Sequence, residues 1–361
     1  MDDLPRTMTA VLLTGHGGFE RLAIRDDVKV PRPAPGEVLI RVGAAAVNNT
    51  DINTRIGWYS RGVTEGTGAG GAAAGHDAAD AGWTGAALDF PRIQGADAAG
   101  RIVAVGAGVD AARVGQRVLV EPVFRAAGAA AFDVRYFGAD CNGGFAEFAR
   151  VPAAHAHVIA STLSDAELAS FPCSYAAAEN MLARAAVAAG ETVLVTGASG
   201  GVGSAAVQLA RRRGATVIAV AGADKAASVA ALGAARVLAR EDDPAAALGR
   251  EAVDAVIDVV GGTAFPGLLE VLRRGGRYAV AGAIGGPVVS LDLRRLYLKD
   301  LRLLGCTVLE PDVFPALVGY IARGEIRPLV AETYPLREIV AAQTAFLAKR
   351  HTGKIVLLPG G

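Results

Sequence analysis

The run from Glu191 to Ala210, ETVLVTGASGGVGSAAVQLA, holds the clearest chemistry in this sequence. An apolar stretch leads into Gly197, Gly200, Gly201 and Gly203, and an amphipathic stretch follows. Glycines at this spacing let the backbone turn tightly and approach a pyrophosphate. The free N–H groups and dipole of the following helix then hold its charge. Ser199, Gly200, Gly201, Val202 and Gly203 are therefore candidate cofactor-binding residues. A plain glycine turn would bind nothing, but a buried strand before it and a helix after it are the context of a dinucleotide site. The end of the next strand, IAVAG, selects the dinucleotide. An acid there would pair with the ribose hydroxyls of NAD. Ala221 and Gly222 instead leave room for a 2′-phosphate, and Lys225 can neutralise it, which points to NADPH. Asp224 keeps the NAD role open, and Lys225 could equally be a solvated charge at a helix start.

These residues need a scaffold. Thr9–Leu13, Glu37–Val42, Gly100–Val105, Val114–Val120 and Gly144–Val151 read as short strands bounded by Gly or Pro, which predicts a compact antiparallel or barrel-like unit. From Asp165 to Ala189 the periodicity is helical. Strands and helices then alternate through about residue 281, and strands such as TVLVT and AVIDVV are apolar on both faces. That pattern predicts a doubly wound parallel sheet covered by helices. The segment Gly62–Gly85 is almost all Gly and Ala, with Val63 and Trp83 its only bulky residues, and reads as a long mobile loop.

At 361 residues, two domains are expected. Apolar residues make up 52% and charged residues 20%, as in a folded globular chain. Lys+Arg and Asp+Glu are equal at 36 each, so nothing suggests a nucleic-acid partner. No apolar span reaches the roughly 20 residues of a membrane helix. The start, MDDLPRTMTAVLL, lacks the order of a signal peptide. Cys141, Cys173 and Cys306 lie far apart, without a disulfide framework, which fits a reducing cytoplasm.

VNNTDINTRIG (Val47–Gly57), IQGADAAGRIVAVGAGV (Ile93–Val109), NGGFAEFARVPA (Asn142–Ala153), TGASGGVG (Thr196–Gly203) and GKIVLLP (Gly353–Pro359) together resemble the medium-chain dehydrogenase/reductase superfamily over nearly the whole chain, with the zeta-crystallin-like quinone oxidoreductase branch nearest. The resemblance implies an α/β protein: a GroES-like β-rich catalytic domain at 1–165 and 312–361, including the loop 60–92, and a Rossmann domain at 166–311. It implies a cleft site between them and a homodimer paired through the apolar edge run Leu301–Leu309. Its alcohol dehydrogenase branch holds a catalytic zinc. The ligand positions here carry Asn48, Ala96 and Cys173, with Asp97 at the acid position, and residues 121–143 hold only Cys141 where a structural zinc needs four cysteines. No zinc is expected at either site.

Without that Lewis acid, the expected reaction is hydride delivery to an already electrophilic carbon, in a quinone or an α,β-unsaturated carbonyl. The resemblance places Asn48, Asp51 and Arg55 near the nicotinamide, and Gly282, Ala283 and Lys354 at the same end of the cofactor. Asn48 could orient the nicotinamide amide or a substrate oxygen. Asp51 could act there or cap a helix. Arg55 could simply pair with Asp51 across one helical turn. Trp58 and Tyr59 could wall an apolar pocket, and either Tyr59 or solvent could supply the proton. Asn53 and Ala177 depart from the branch pattern. An enoyl-thioester reductase, a non-catalytic NADPH sensor and a zinc-free alcohol dehydrogenase are the competing readings.

Overall fold

The computed structural model describes residues 4–67 and 79–360. The strands before residue 160 are β1 (Thr7–Leu13), β2 (Leu22–Lys29), β3 (Glu37–Ala46), β4 (Arg92–Ile93), β5 (Ala99–Val105), β6 (Arg117–Val120), β7 (Val123–Arg125), β8 (Val134–Tyr136), β9 (Phe148–Pro152) and β10 (Ala156–Val158). Their pairing is antiparallel throughout. Strand β3, apolar along nearly its whole length, is the hub, with β5 and β9 both hydrogen-bonded to it. Helix α1 (Asn49–Arg55) leaves the end of β3 and carries the first group of candidate residues.

The second layer system is a single parallel sheet. It contains β11 (Thr192–Val195), β12 (Thr216–Ala221), β13 (Arg236–Ala239), β14 (Val253–Asp258), β15 (Leu272–Val280) and β16 (Arg302–Gly305) in the spatial order β13-β12-β11-β14-β15-β16. This is the doubly wound order in which a ligand sits where the winding direction reverses, at the carboxyl end of the first strand. That strand is β11, whose Val193, Leu194 and Val195 are fully buried. The last strands, β17 (Val330–Pro335) and β18 (Lys354–Leu358), return to the first unit, where β18 pairs with β3 through Val356 and Leu357.

The helical run expected over Asp165–Ala189 is two helices, α2 (Asp165–Ala169) and α3 (Pro172–Arg184). The break falls at Pro172, which carries no N–H to continue the ladder of α2 and opens α3 at its first position. Helix α3 packs against α4 (Gly201–Arg212), and buried Tyr175 donates to the Arg327 carbonyl at 2.7 Å while accepting from Gln208 at 2.9 Å. The apolar run Leu301–Leu309 is a strand only over Arg302–Gly305, and Cys306, Thr307 and Leu309 turn into a pocket instead. Within Gly62–Gly85, the loop expected to be mobile, residues 68–78 lie outside the described residues. No helix among the described residues is long and apolar enough to cross a membrane.

Candidate active site

The glycine turn is built as its sequence requires. Gly197 has φ +56°, and a Cβ on Gly203 would lie 2.2 Å from the Gly197 carbonyl oxygen, so α4 can approach the turn only without a side chain there. The first N–H groups of α4, at Gly201, Val202 and Gly203, have no helical carbonyl to donate to. At Gly201 the turn opens on a pocket of about 440 Å³ that is also lined by Ser199, Gly200, Lys225, Arg240 and Lys349, among others. A second pocket, about 220 Å³, adjoins it. Asn49, Gly201, Ile284 and Phe346 line both, so the two form one cleft with a nucleotide arm and an acceptor arm.

Asn48, Tyr59, Val202, Gly282, Ala283 and Lys354 line the acceptor arm. Gly203 lies behind the turn, and Gly222 is half-buried outside both linings. Asp51 also lies outside both. Its carboxylate accepts from the Asn48 N–H at 2.8 Å and the Gly95 N–H at 3.2 Å, which caps α1 and fixes the neighbouring turn. Burial, opposed by the Asn48 amide and reinforced by Asp97, pushes this carboxyl up to about 7. The expected pairing of Arg55 with Asp51 does not form. Arg55 donates to the Gly17 carbonyl at 2.9 Å and to Gln343 at 3.1 Å, and its guanidinium lies over the Phe19 ring at 4.6 Å.

Beneath the acceptor arm lies a closed polar network. The Lys354 ammonium donates to Asp97 at 2.9 Å, to Ser174 at 3.2 Å and to the Asn48 side-chain oxygen. The Asn48 amide donates to Asp97 at 2.8 Å and to the Ala46 carbonyl at 3.2 Å. Asn48 is therefore fully engaged in holding the floor of the cleft. The other Asp97 oxygen accepts from the Cys173 N–H at 2.6 Å. Burial, with Asp97 adding to it, pushes the Cys173 thiol well above its ordinary range. These are the positions where a catalytic zinc would need its ligands. One protonated thiol, an amide and a carboxylate already paired to an ammonium do not suit that ion.

Tyr59 donates to the Thr50 hydroxyl at 3.2 Å, and burial pushes its phenol up to about 12. Sequence reasoning missed Trp83, which lines the acceptor arm, and Lys349, Arg240 and His351, which line the nucleotide arm. The basic run Lys349-Arg350-His351 beside Gly353 was the available signal.

Comparison with known proteins agrees with this architecture. Residues 34–161 match the alcohol dehydrogenase GroES-like domain and residues 201–323 the zinc-binding dehydrogenase family. The chain is 31% identical to the acryloyl-coenzyme A reductase of Metallosphaera sedula, covering 97% of this chain and 99% of that one. It is 27% identical to the quinone oxidoreductase of Homo sapiens, covering 98% of each. A crystal structure from Sinorhizobium meliloti 1021, provisionally assigned as an alcohol dehydrogenase, superposes with a TM-score of 0.89 at 51% identity, covering 99% of this chain and 98% of that one. With its GroES-like unit, its doubly wound nucleotide unit and the cleft between them, the chain belongs to the medium-chain dehydrogenase/reductase superfamily and is an oxidoreductase.

Proposed function

We propose that the protein uses NADPH, without zinc, to reduce a quinone or an α,β-unsaturated carbonyl. The observation that carries this reading is the lining of the acceptor arm. Among the described residues its one charged group is Lys354, neutralised by Asp97, and the rest is apolar, aromatic or uncharged polar. Such a pocket suits a neutral acceptor that is electrophilic before it binds. When bound, the nicotinamide supplies a hydride, and the acceptor takes one proton to complete a two-electron reduction. Tyr59 stays protonated and presents its hydroxyl at the wall, where it can donate that proton and recover one through Thr50.

The nucleotide arm supports NADPH over NAD. Lys225, Arg240, Lys349 and His351 line it against the acids Asp242 and Asp258, and Asp258 is occupied by the Thr196 and Tyr278 hydroxyls and the Val260 and Gly261 N–H groups. The surplus positive charge suits a phosphate beyond the pyrophosphate, which the N–H groups at the start of α4 would hold. Burial and the nearby Lys225 bring the Lys349 ammonium down to about 8. Burial, with Lys349 and Lys225, brings His351 down to about 4, so His351 is neutral at ordinary pH. A phosphate would bind the charged form of Lys349 and raise its pKa. NADPH affinity is then full below about 8 and lost as pH rises, by up to about tenfold per pH unit. Fluorescence titration of NADPH and NADH across this range checks it: NADPH should weaken and NADH change little, whereas parallel profiles would contradict the assignment.

The acryloyl-coenzyme A reductase relative favours a second reading, reduction of an enoyl thioester. NADPH oxidation with 1,4-benzoquinone, 3-penten-2-one and crotonyl-CoA separates the two. The leading reading expects saturation with the quinone or the enone, and saturation with crotonyl-CoA alone would replace it. A cytoplasmic homodimer paired at β16 belongs to the same proposal; its pairing is supported by exposed Leu303 on that edge strand, preceded in sequence by exposed Leu293, Tyr297 and Leu298.

A further inference from the structure

The chain that leaves α1 crosses from the first unit onto the nucleotide unit. Its path is held at three points. The Arg61 N–H donates to the Asp80 carboxylate at 3.1 Å, the Val63 side chain is buried, and the Trp58 indole N–H donates to the Glu65 carbonyl at 2.8 Å. Gly66 then lies directly on the turn that follows β15. A Cβ at Gly66 would stand 2.3 Å from the Ile284 carbonyl oxygen and 2.9 Å from both the Gly285 carbonyl carbon and the Gly286 nitrogen. Backbone rests on backbone here, an approach that only glycine allows.

The seat under Gly66 is fixed. The Gly285 N–H donates to the Val260 carbonyl at 2.8 Å, and the Gly262 N–H donates to the Gly286 carbonyl at 3.1 Å. Buried Asp258 holds the layer below, accepting from the Val260 N–H at 2.8 Å and the Gly261 N–H at 3.2 Å. The seat is also central to the cleft. Ile284 lines both arms, so a dinucleotide that reaches from one to the other must pass it. Thr67, the residue after Gly66, lines the nucleotide arm, and Trp58 lines the acceptor arm.

We propose that residues 65–67 are a strap that seats through Gly66 on residues 284–286, at the join of the two arms, and retains the bound dinucleotide. Gly66 is then a positioning residue for the cofactor, and cofactor release requires the strap to lift. This rests on the reading of the cleft as a dinucleotide site. It does not depend on the choice of NADPH over NADH, because the strap lies between the arms that both cofactors span.

The test chases NADPH, and separately NADH, from the full-length protein with excess oxidised nucleotide and follows the fluorescence by stopped flow. Gly66→Ala should raise the dissociation rate of both about tenfold, with association no slower and the unfolding temperature unchanged. Trp58→Phe removes the N–H that tethers Glu65 and should raise both rates about threefold. Gly62→Ala is the control in the same segment, because its Cβ would meet only the Ser60 hydroxyl at 3.8 Å, and it should change neither rate. Dissociation unchanged by Gly66→Ala, or quickened equally by Gly62→Ala, would overturn the strap. If the wild type bound NADH alone and Gly66→Ala quickened its release, the strap would stand and the NADPH reading would fall. If the wild type bound neither nucleotide, the dinucleotide reading would fall and the strap with it.

Discussion

Replacing Lys354 with methionine is expected to destabilise the protein by about 3–5 kcal/mol. The side chains of Lys354 and Asp97 are 3% and 0% exposed, so removing the ammonium strands a buried carboxylate and deprives Ser174 and the Asn48 oxygen of a donor. Methionine keeps the length and apolar stem, which isolates the charge. Denaturant unfolding of wild type and variant measures the loss. The double variant Lys354→Met, Asp97→Asn should recover more than half of it, because the neutral amide no longer needs the cation. A loss below about 1 kcal/mol would show that the pair is solvated and is not the floor of the cleft.

The second large effect is on the cofactor. Gly203→Ala is expected to weaken NADPH binding on the order of 100-fold, about 2.7 kcal/mol. In an unconstrained helix this change would be favourable by roughly 1 kcal/mol. Here the new methyl would lie 2.2 Å from the Gly197 oxygen and 2.7 Å from the Ala198 Cα, both rigid backbone atoms. The start of α4 must move away from the turn, and the N–H groups aimed at the pyrophosphate move with it. Fluorescence titration with NADPH and NADH should show equal losses, since both carry the pyrophosphate. Unchanged binding would mean that the glycine turn does not hold the nucleotide.

The nucleotide unit was legible because local signals and tertiary demands coincide there. Val193–Val195 is apolar on both faces because the strand is buried on both faces, and the glycines of the turn stand where backbone meets backbone. Strand β2 escaped notice because LAIRDDVK has no apolar alternation; most of its residues are exposed, and among the described strands it pairs only with β1. The floor of the cleft was only half legible. Asn48, Ala96, Cys173 and Asp97 could be identified as a poor zinc set once the resemblance to the superfamily placed them at the ligand positions. That Lys354 closes the network could not, because 257 residues separate it from Asp97 and only the return of β18 onto β3 brings them together. Lys349 and His351 reach the nucleotide arm by the same return. Trp83 was visible as the bulky residue in a small-residue segment, but its partner Tyr136 lies on a hairpin about 50 residues on, with no sequence signal linking them.

Zinc-independent hydride transfer is tested by NADPH oxidation by untagged protein with 9,10-phenanthrenequinone, before and after exhaustive treatment with 1,10-phenanthroline, with metal content measured on the same samples. Saturable turnover, unchanged by the chelator, is expected in protein holding no stoichiometric zinc. Stoichiometric zinc whose removal abolishes turnover would contradict it, and the network of Lys354, Asp97, Asn48 and Cys173 would then have to open to admit a metal.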